Sequence, residues 1–363
     1  MSAVPSYPGT LERLERSPRS WLVTGAAGFI GSHLVETLLR HGQRVVGVDN
    51  FVTGSRENVE EAVAAAGAPQ EQFRFLEGDL CDLSICRNSV AGMDFVLHQA
   101  ALGSVPRSVA DPLSSHHANV TAFLNLLVAA KEVGVERFVY ASSSAVYGDE
   151  PNLPKREDRI GNPLSPYAVT KRADELYAHV AQEIYGLDLV GLRYFNVFGP
   201  RQDPEGPYAA VIPRWMEALL NGEACEIYGD GETSRDFCYV ANAVQANLLA
   251  AVKASSELKP RGPGGGGARV YNVACGERTT LNELFTELRD RVKTLRPEMA
   301  TPDPLYRDFR PGDVRHSEAD VSAIQSDLGY EPSHYFRDGI GLTVQWYEEQ
   351  APFLAEPAVD NKV

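Results

Sequence analysis

Cysteine is scarce in this chain. Its 363 residues include five: Cys81, Cys86, Cys225, Cys238 and Cys275, with no C-x-x-C pair among them. An odd, scattered set in so long a chain argues against a disulfide frame or a zinc site and points to reduced thiols in the cytoplasm. Positive charge is also short, with 34 Lys and Arg against 49 Asp and Glu and a net charge of -15. Such a surface repels phosphate backbones, so neither nucleic acid nor an anionic membrane is an expected partner. No apolar run reaches the roughly 18 residues of a membrane span. The first 17 residues carry Pro5, Pro8, Glu12 and Glu15 in place of an apolar signal core, and read as a short extension ahead of the first strand. No repeat is visible, and no metal ligand set is expected.

What is present is an ordinary globular composition, 44% hydrophobic and 23% charged. The length asks for two lobes. Trp21 to Thr24 is a buried-strand run before glycine, and Ile30, Leu34, Leu38 and Leu39 recur at helical spacing up to Arg40. Strands are expected at Arg44–Val48, Phe73–Leu76, Phe95–Leu97, Arg137–Ala141 and Leu187–Leu192, with helices at Ala118–Val133 and Tyr167–Tyr185. This alternation predicts an α/β fold: a Rossmann-type, doubly wound parallel sheet with a smaller C-terminal α/β lobe for substrate. The expected division is an extension over 1–17, a dinucleotide-binding domain over 18–195, a mainly substrate-binding domain over 196–350 and a tail over 351–363. A segment near 236–256 is expected to return to the first domain. Arg261-Gly262-Pro263 and the glycines at 264–267 read as a flexible surface loop.

Gly25-Ala26-Ala27-Gly28-Phe29-Ile30-Gly31 joins the first strand to the first helix. Missing Cβ atoms allow a tight turn and close approach of a pyrophosphate, to which the helix N-terminus offers free N–H groups. A glycine triplet by itself fits a plain strand-to-helix turn; the strand before it and the helix after it supply the context that a dinucleotide site needs. Asp49 ends the second strand, 18 residues after Gly31, where an acid accepts from adenosine ribose hydroxyls and repels the extra phosphate of NADP. The same Asp could simply cap a turn, and nearby Arg56 keeps NADP open. Asn50 follows Asp49, and Gly78-Asp79-Leu80 follows the third strand, where an acid can meet the adenine amino group or merely make a turn.

Ser165-Pro166 is a helix start, and Tyr167 and Lys171 then share one face, four apart. A free phenol ionises near pH ~10, so use as a base at neutrality asks for roughly 4 kcal/mol of preference for the phenolate. A neighbouring ammonium and a positive nicotinamide can supply that in a partly dry cleft. Tyr-x-x-x-Lys pairs are common on helix faces; what distinguishes this one is its place one strand after Ser142-Ser143-Ser144.

Together these segments resemble the extended short-chain dehydrogenase/reductases, in their UDP-hexose 4-epimerase branch. The resemblance runs from about Trp21 to Tyr330. It takes in His98-Gln99-Ala100-Ala101, Ser142 to Gly148, Tyr167 to Lys171, Leu192-Arg193-Tyr194-Phe195-Asn196-Val197-Phe198-Gly199-Pro200, Gly229-Asp230-Gly231, Ser234 to Phe237 and Arg310-Pro311-Gly312-Asp313. It implies NAD held by Gly25, Gly28, Phe29, Ile30, Gly31, Asp49, Asn50, Asp79, Leu80, Gln99, Ala100, Ala101 and Tyr194. Tyr167 would be the base, Lys171 would bind the nicotinamide ribose and tune that base, and Ser143 would bridge to the sugar hydroxyl. A UDP-sugar would be met by Gly103, Ser104, Ser143, Ser144, Asn196, Arg235, Arg310, Asp313 and Ser317, with Arg235 and Arg310 on phosphate and Asp313 near the nucleoside ribose. The plainer reading of either Arg is a solvated surface charge. A homodimer paired through the helices Asp111–Val133 and Ser165–Tyr185 is also implied.

All reactions of this type begin with removal of a hydroxyl proton and transfer of the C4 hydride to NAD. The 4,6-dehydratases place Asp-Glu after the catalytic serine; Ser144-Ala145 here cannot do that work. A decarboxylase is harder to separate, and a binding module without turnover would be expected to lose the Tyr/Lys/Ser set, which is intact. Within the 4-epimerases, the lysine that glucose/galactose enzymes carry after the His-x-Ala segment is replaced by Gly103-Ser104. Ser317 stands where a bulky Tyr is typical of enzymes confined to plain hexoses. Both changes make room at C2, so the resemblance is closest to bacterial enzymes that interconvert UDP-N-acetylglucosamine and UDP-N-acetylgalactosamine. Plain hexose and uronic acid forms remain open, and Ser317 could be no more than a small loop residue.

Overall fold

The computed structural model describes residues 6–204, 209–263, 269–309 and 314–354. Among them the strands are β1 (Ser20–Thr24), β2 (Arg44–Asp49), β3 (Phe73–Glu77), β4 (Phe95–His98), β5 (Arg137–Ser143), β6 (Leu189–Tyr194), β7 (Asn196–Phe198), β8 (Glu226–Tyr228), β9 (Ser234–Arg235), β10 (Phe237–Tyr239), β11 (Val270–Val273), β12 (Thr279–Thr280) and β13 (Leu305–Arg307). The helices are α1 (Tyr7–Arg16), α2 (Phe29–Arg40), α3 (Arg56–Ala66), α4 (Leu83–Val90), α5 (Val105–Ala110), α6 (Pro112–His116), α7 (Ala122–Val133), α8 (Pro166–Tyr185), α9 (Val211–Leu220), α10 (Val240–Val252), α11 (Leu281–Leu295), α12 (Ser322–Leu328) and α13 (Phe336–Leu354).

Seven strands form one parallel sheet in the order β11-β6-β5-β4-β1-β2-β3. The chain builds outward from β1 in one direction and then restarts at β4 in the other. Ligands of such sheets bind in the crevice that this reversal leaves at the carboxyl ends of the strands. Every residue of β1, β4, β5 and β6 is buried, which is why these strands read as continuous apolar runs without alternation. α2 presses Leu34, Val35, Leu38 and Leu39 onto the sheet, each nearly inaccessible. At roughly 1.5–3 kcal/mol per side chain this fixes the helix firmly.

The sheet matches the expected architecture, with differences at its margins. β6 starts at Leu189 and runs on to Tyr194, two residues beyond the expected end, because Arg193 and Tyr194 pair with β5 on one side and β11 on the other. The seventh strand, Val270–Val273, pairs with β6 although it comes after the glycine-rich stretch; only tertiary pairing selects so short a run. α10 also packs against this domain, burying most of its length. The expected helix from Ala118 is interrupted: a π turn over His117–Thr121 precedes α7. The extension before β1 contains a helix, α1, which buries Leu14 and Thr10 and sends Arg13 Nη2 to the carbonyl of Val252 at 2.8 Å. α13 continues to Leu354. The loop at Arg261 is anchored by two hydrogen bonds to Asp327 at 2.8 and 2.9 Å, so its described start is held in place; the glycines at 264–267 lie outside the described residues. Among the described residues no helix is long and apolar enough to cross a membrane.

The smaller lobe gathers α9, α11, α13 and the short strands around its own core of Trp215, Met216, Leu219, Phe237, Leu288 and Tyr347. Asp236 ties it to the sheet. Its carboxylate accepts from the backbone N–H groups of Cys275, Gly276 and Ala319 at 2.9, 3.0 and 3.2 Å.

Candidate active site

A cleft of about 2190 Å³ runs between the lobes along the carboxyl ends of the strands. One end is the glycine turn. Gly25 has φ +65°, and a Cβ placed on it would meet the backbone of Ala100 at 2.8 Å. A Cβ on Gly31 would lie 1.9 Å from the carbonyl oxygen of Gly25. Both positions therefore require glycine. Gly28 caps α2 without a side-chain bond, leaving the helix N-terminus open toward the cleft. This is a cradle that a dinucleotide pyrophosphate fits.

Asp49 serves the turn directly. Its Oδ2 accepts from Ala27 N at 3.0 Å and its Oδ1 from Phe51 N at 2.9 Å. It thus caps a turn and also lines the cleft, with lone pairs left for a ribose. Arg56 pairs with Glu77 at 2.5 Å and lies over the Phe51 ring. Asn50, Asp79 and Leu80 lie along the same wall. Asp79 Oδ1 accepts from Cys81 N at 2.8 Å, and hydrogen bonds from Cys81 and Asn50 hold its carboxyl below the usual range despite burial.

Gln99, Ala100 and Ala101 form the floor. Gln99 donates to Asn247 Oδ1 at 2.9 Å and accepts from the Tyr194 hydroxyl at 3.0 Å, while Asn247 Nδ2 donates to that hydroxyl at 2.6 Å. Tyr194 is thereby held as a neutral phenol, and burial pushes its ionisation upward. Beneath the floor, His98 Nδ1 bonds Thr24 Oγ1 at 2.8 Å; full burial lowers its pKa to about 3.

The middle of the cleft carries the candidate catalytic groups. Ser165 caps α8 by accepting from Ala168 N at 3.2 Å, and Pro166 opens its first turn. Tyr167 stands on that turn, its backbone N–H held by Ser108 Oγ at 3.0 Å. Lys171 is almost wholly buried, with Nζ 2.9 Å from the carbonyl of Ala141 on β5. Ser143 ends β5, and its Oγ accepts from Ala145 N at 3.1 Å. Ser142 faces away, donating to Glu175 Oε1 at 2.7 Å. Glu175 in turn holds Arg193 at 2.8 and 2.9 Å, so β5, β6 and α8 are locked together behind these side chains.

The far end holds the residues expected to meet substrate. Gly103, Ser104, Ser143, Ser144, Asn196, Arg235 and Ser317 all line it. Arg235 Nη1 donates to the carbonyl of Ser234 at 3.0 Å, and Ser317 N donates to that same carbonyl at 3.0 Å. Gly103 faces open space. Arg310 and Asp313 lie outside the described residues. The structure also brings in groups that the sequence reading passed over: Lys155 lines the cleft, Asn119 grips Leu102 and Thr170, and Asp174 touches Lys171 at 3.4 Å. Asn119 had a signal in principle, a polar residue on an apolar helix; Lys155 had none.

Comparison with known proteins places this arrangement. Residues 21–274 match the family model described as "NAD dependent epimerase/dehydratase family". The chain is similar to the UDP-N-acetylglucosamine 4-epimerase of Methanobrevibacter ruminantium M1, solved with UDP-N-acetylmuramic acid. Identity is 41%, coverage is 92% of this chain and 99% of that one, and the TM-score is 0.80. It is 37% identical to a UDP-glucose 4-epimerase of Mycolicibacterium smegmatis, over 91% of this chain and 99% of the relative. It is 35% identical to UDP-glucuronate 4-epimerase 2 of Arabidopsis thaliana, over 92% and 76%. With the family match running from β1 through the Tyr167/Lys171 helix to the seventh strand of the sheet, the chain belongs to the NAD dependent epimerase/dehydratase family and is an NAD-dependent enzyme of the extended short-chain dehydrogenase/reductase type.

Proposed function

We propose that the protein inverts C4 of a UDP-sugar, and that the sugar is an N-acetylhexosamine, the pair UDP-N-acetylglucosamine and UDP-N-acetylgalactosamine. The observation that carries the reading is one continuous cleft with the glycine turn at one end, Tyr167, Lys171 and Ser143 in the middle and Ser317 at the other. NAD, when bound, supplies the acceptor and donor of the C4 hydride. The protein's own share is proton handling and orientation. Tyr167, held as its phenolate by the neighbouring Lys171 ammonium, takes the proton of the C4 hydroxyl and becomes the neutral phenol, and Ser143 holds the sugar oxygen by a hydrogen bond. Arg235 meets the diphosphate, with Arg310 and Asp313 as further contacts on the nucleotide. Small side chains at Ser317 and Gly103 leave room for a C2 substituent. Plain hexose or uronic acid sugars are the alternatives, followed by a decarboxylase.

The test is direct. Purified protein is incubated with each UDP-sugar, without added cofactor, and the products are separated. Interconversion of the N-acetylated pair well above the plain hexose and uronic acid pairs supports the reading. Preference for either other pair, or release of carbon dioxide, defeats the substrate assignment.

The working unit is proposed to be a homodimer. α8 presents Val169, Leu176, Tyr177, Val180 and Ile184 to solvent on one face, beside Val109 and Leu113 of the preceding helices. Ile184 is 68% and Leu113 82% exposed, and an apolar patch of this kind marks a contact surface.

A further inference from the structure

Lys171 has a second partner besides the Ala141 carbonyl. Its Nζ lies 3.4 Å from Asp174 Oδ2, and the two side chains are 2% and 1% exposed. The three-residue spacing puts the carboxylate one turn along the same face of α8. The other oxygen, Asp174 Oδ1, is buried with no hydrogen-bond partner. An ionised carboxylate with one bare oxygen in a dry site is unfavourable, and so is an ammonium without its counter-charge. The pair is therefore poised between two charge states.

We propose that Asp174 is a positioning residue for proton transfer: it fixes the Lys171 ammonium opposite Ala141 and, when ionised, cancels part of the positive field that Lys171 presents to Tyr167. The proposal rests on the reading of Tyr167 as base and Lys171 as its tuner. Burial raises Asp174 to about 7, against the pull of Lys171. Below that pH the carboxyl is neutral and the ammonium acts on Tyr167 undiminished; above it the carboxylate opposes the ammonium. The other charged or titratable groups that reach this pair are Glu175 on α8, Tyr140 on β5 and His98 on β4. Glu175 is already committed to Arg193 of β6 and Arg172. Burial pushes the Tyr140 phenol well up, and burial together with Lys171 keeps His98 neutral. From the outer helices, Asn119 approaches through Thr170 and carries no charge. Asp174 is thus the group here whose charge changes near neutrality.

The experiment compares wild-type holoenzyme with Asp174→Asn, which keeps the size and an acceptor oxygen but removes the charge. Turnover and KM are measured across pH. The upper part of the acid limb of kcat, near and above pH 7 where wild-type Asp174 becomes charged, should move to lower pH by about half a unit to one unit, with wild type and variant converging below it, as expected from removing one opposing charge in a partly dry site. KM for the nucleotide-sugar should stay within ~2-fold. Phenolate absorbance attributable to Tyr167, taken as the difference from Tyr167→Phe, should move in the same direction. In the Lys171→Met background, adding Asp174→Asn should leave that absorbance titration unchanged, because the buried carboxyl without its counter-charge stays protonated and carries no field to remove. This second pair also serves if Asp174→Asn alone does not fold. An unmoved acid limb in folded Asp174→Asn, an equal loss of kcat at every pH, or a shift in the Lys171→Met background overturns the proposal. Tyr167→Phe separates the two levels: if it turns over normally, the base assignment itself fails; if it is inactive while the limb of Asp174→Asn stays in place, only the role of Asp174 fails.

Discussion

Gly31→Ala should damage the fold of the cofactor cradle, whereas Gly28→Ala should damage cofactor binding alone. A Cβ at Gly31 would sit 1.9 Å from the carbonyl oxygen of Gly25, 2.7 Å from its carbon and 3.0 Å from Ala26 Cα. All three are backbone atoms, so no side chain can swing away. Relief requires the turn and α2 to separate by roughly 1 Å, since tolerable contacts begin above about 3 Å. α2 cannot retreat, because Leu34, Val35, Leu38 and Leu39 are packed against the sheet. The turn cannot easily yield either: Asp49 holds Ala27 N, and Gly25 lies against Ala100. Overpacking costs typically 1–3 kcal/mol, and a backbone clash belongs at the upper end. For a domain of this size about 3 kcal/mol lowers Tm by very roughly 5–10 °C. At Gly28 the nearest atom, again Gly25 O, is 3.2 Å away. That contact asks for a few tenths of an ångström, so stability should fall by less than ~1 kcal/mol. The added methyl would instead stand at the open N-terminus of α2, where the pyrophosphate must approach. The assay is thermal unfolding with and without NAD, plus NAD content of the purified protein. Gly31→Ala should unfold earlier in both conditions. Gly28→Ala should unfold near wild type without NAD and lose the NAD-dependent gain. Equal unfolding temperatures for Gly31→Ala and wild type would refute the steric reasoning.

Tyr167→Phe removes one oxygen and should lower turnover by at least ~10²-fold, with nucleotide-sugar binding largely kept, as titration calorimetry can check. Ser317→Tyr should fill the proposed C2 pocket and shift kcat/KM at least ~10-fold in favour of plain hexose over N-acetylated UDP-sugars; a constant ratio would remove Ser317 from that pocket. His98 has its pKa lowered by burial to about 3, so its contribution to stability is fully present above about 6.5 and is lost as pH falls toward 3. The stability gap between wild type and His98→Asn, measured by urea unfolding, should therefore narrow by about 2 kcal/mol between pH 7 and pH 5. Ile184→Glu places a charge on the exposed face of α8 and should shift the protein to monomer in sedimentation, with little change in its circular dichroism.

The cofactor half was legible in the sequence because its signals are local. A strand, a glycine turn and a helix follow one another between Ser20 and Arg40, and each glycine answers to its immediate backbone neighbours. Tyr167 and Lys171 were legible for the same reason, since helical spacing alone sets them on one face. Other features depended on segments far apart in the chain. The short run Val270–Val273 becomes a sheet strand only because β6 offers it an edge. Ser317 reaches the cleft wall because Ser234 and Asp236 pin the backbone around it. Asp174 reads in the sequence as one more polar residue on an exposed helix. It becomes a counter-charge to Lys171 only once β5 and the outer helices close over both and shut water out, since burial is a property of the packed molecule and not of spacing along the chain.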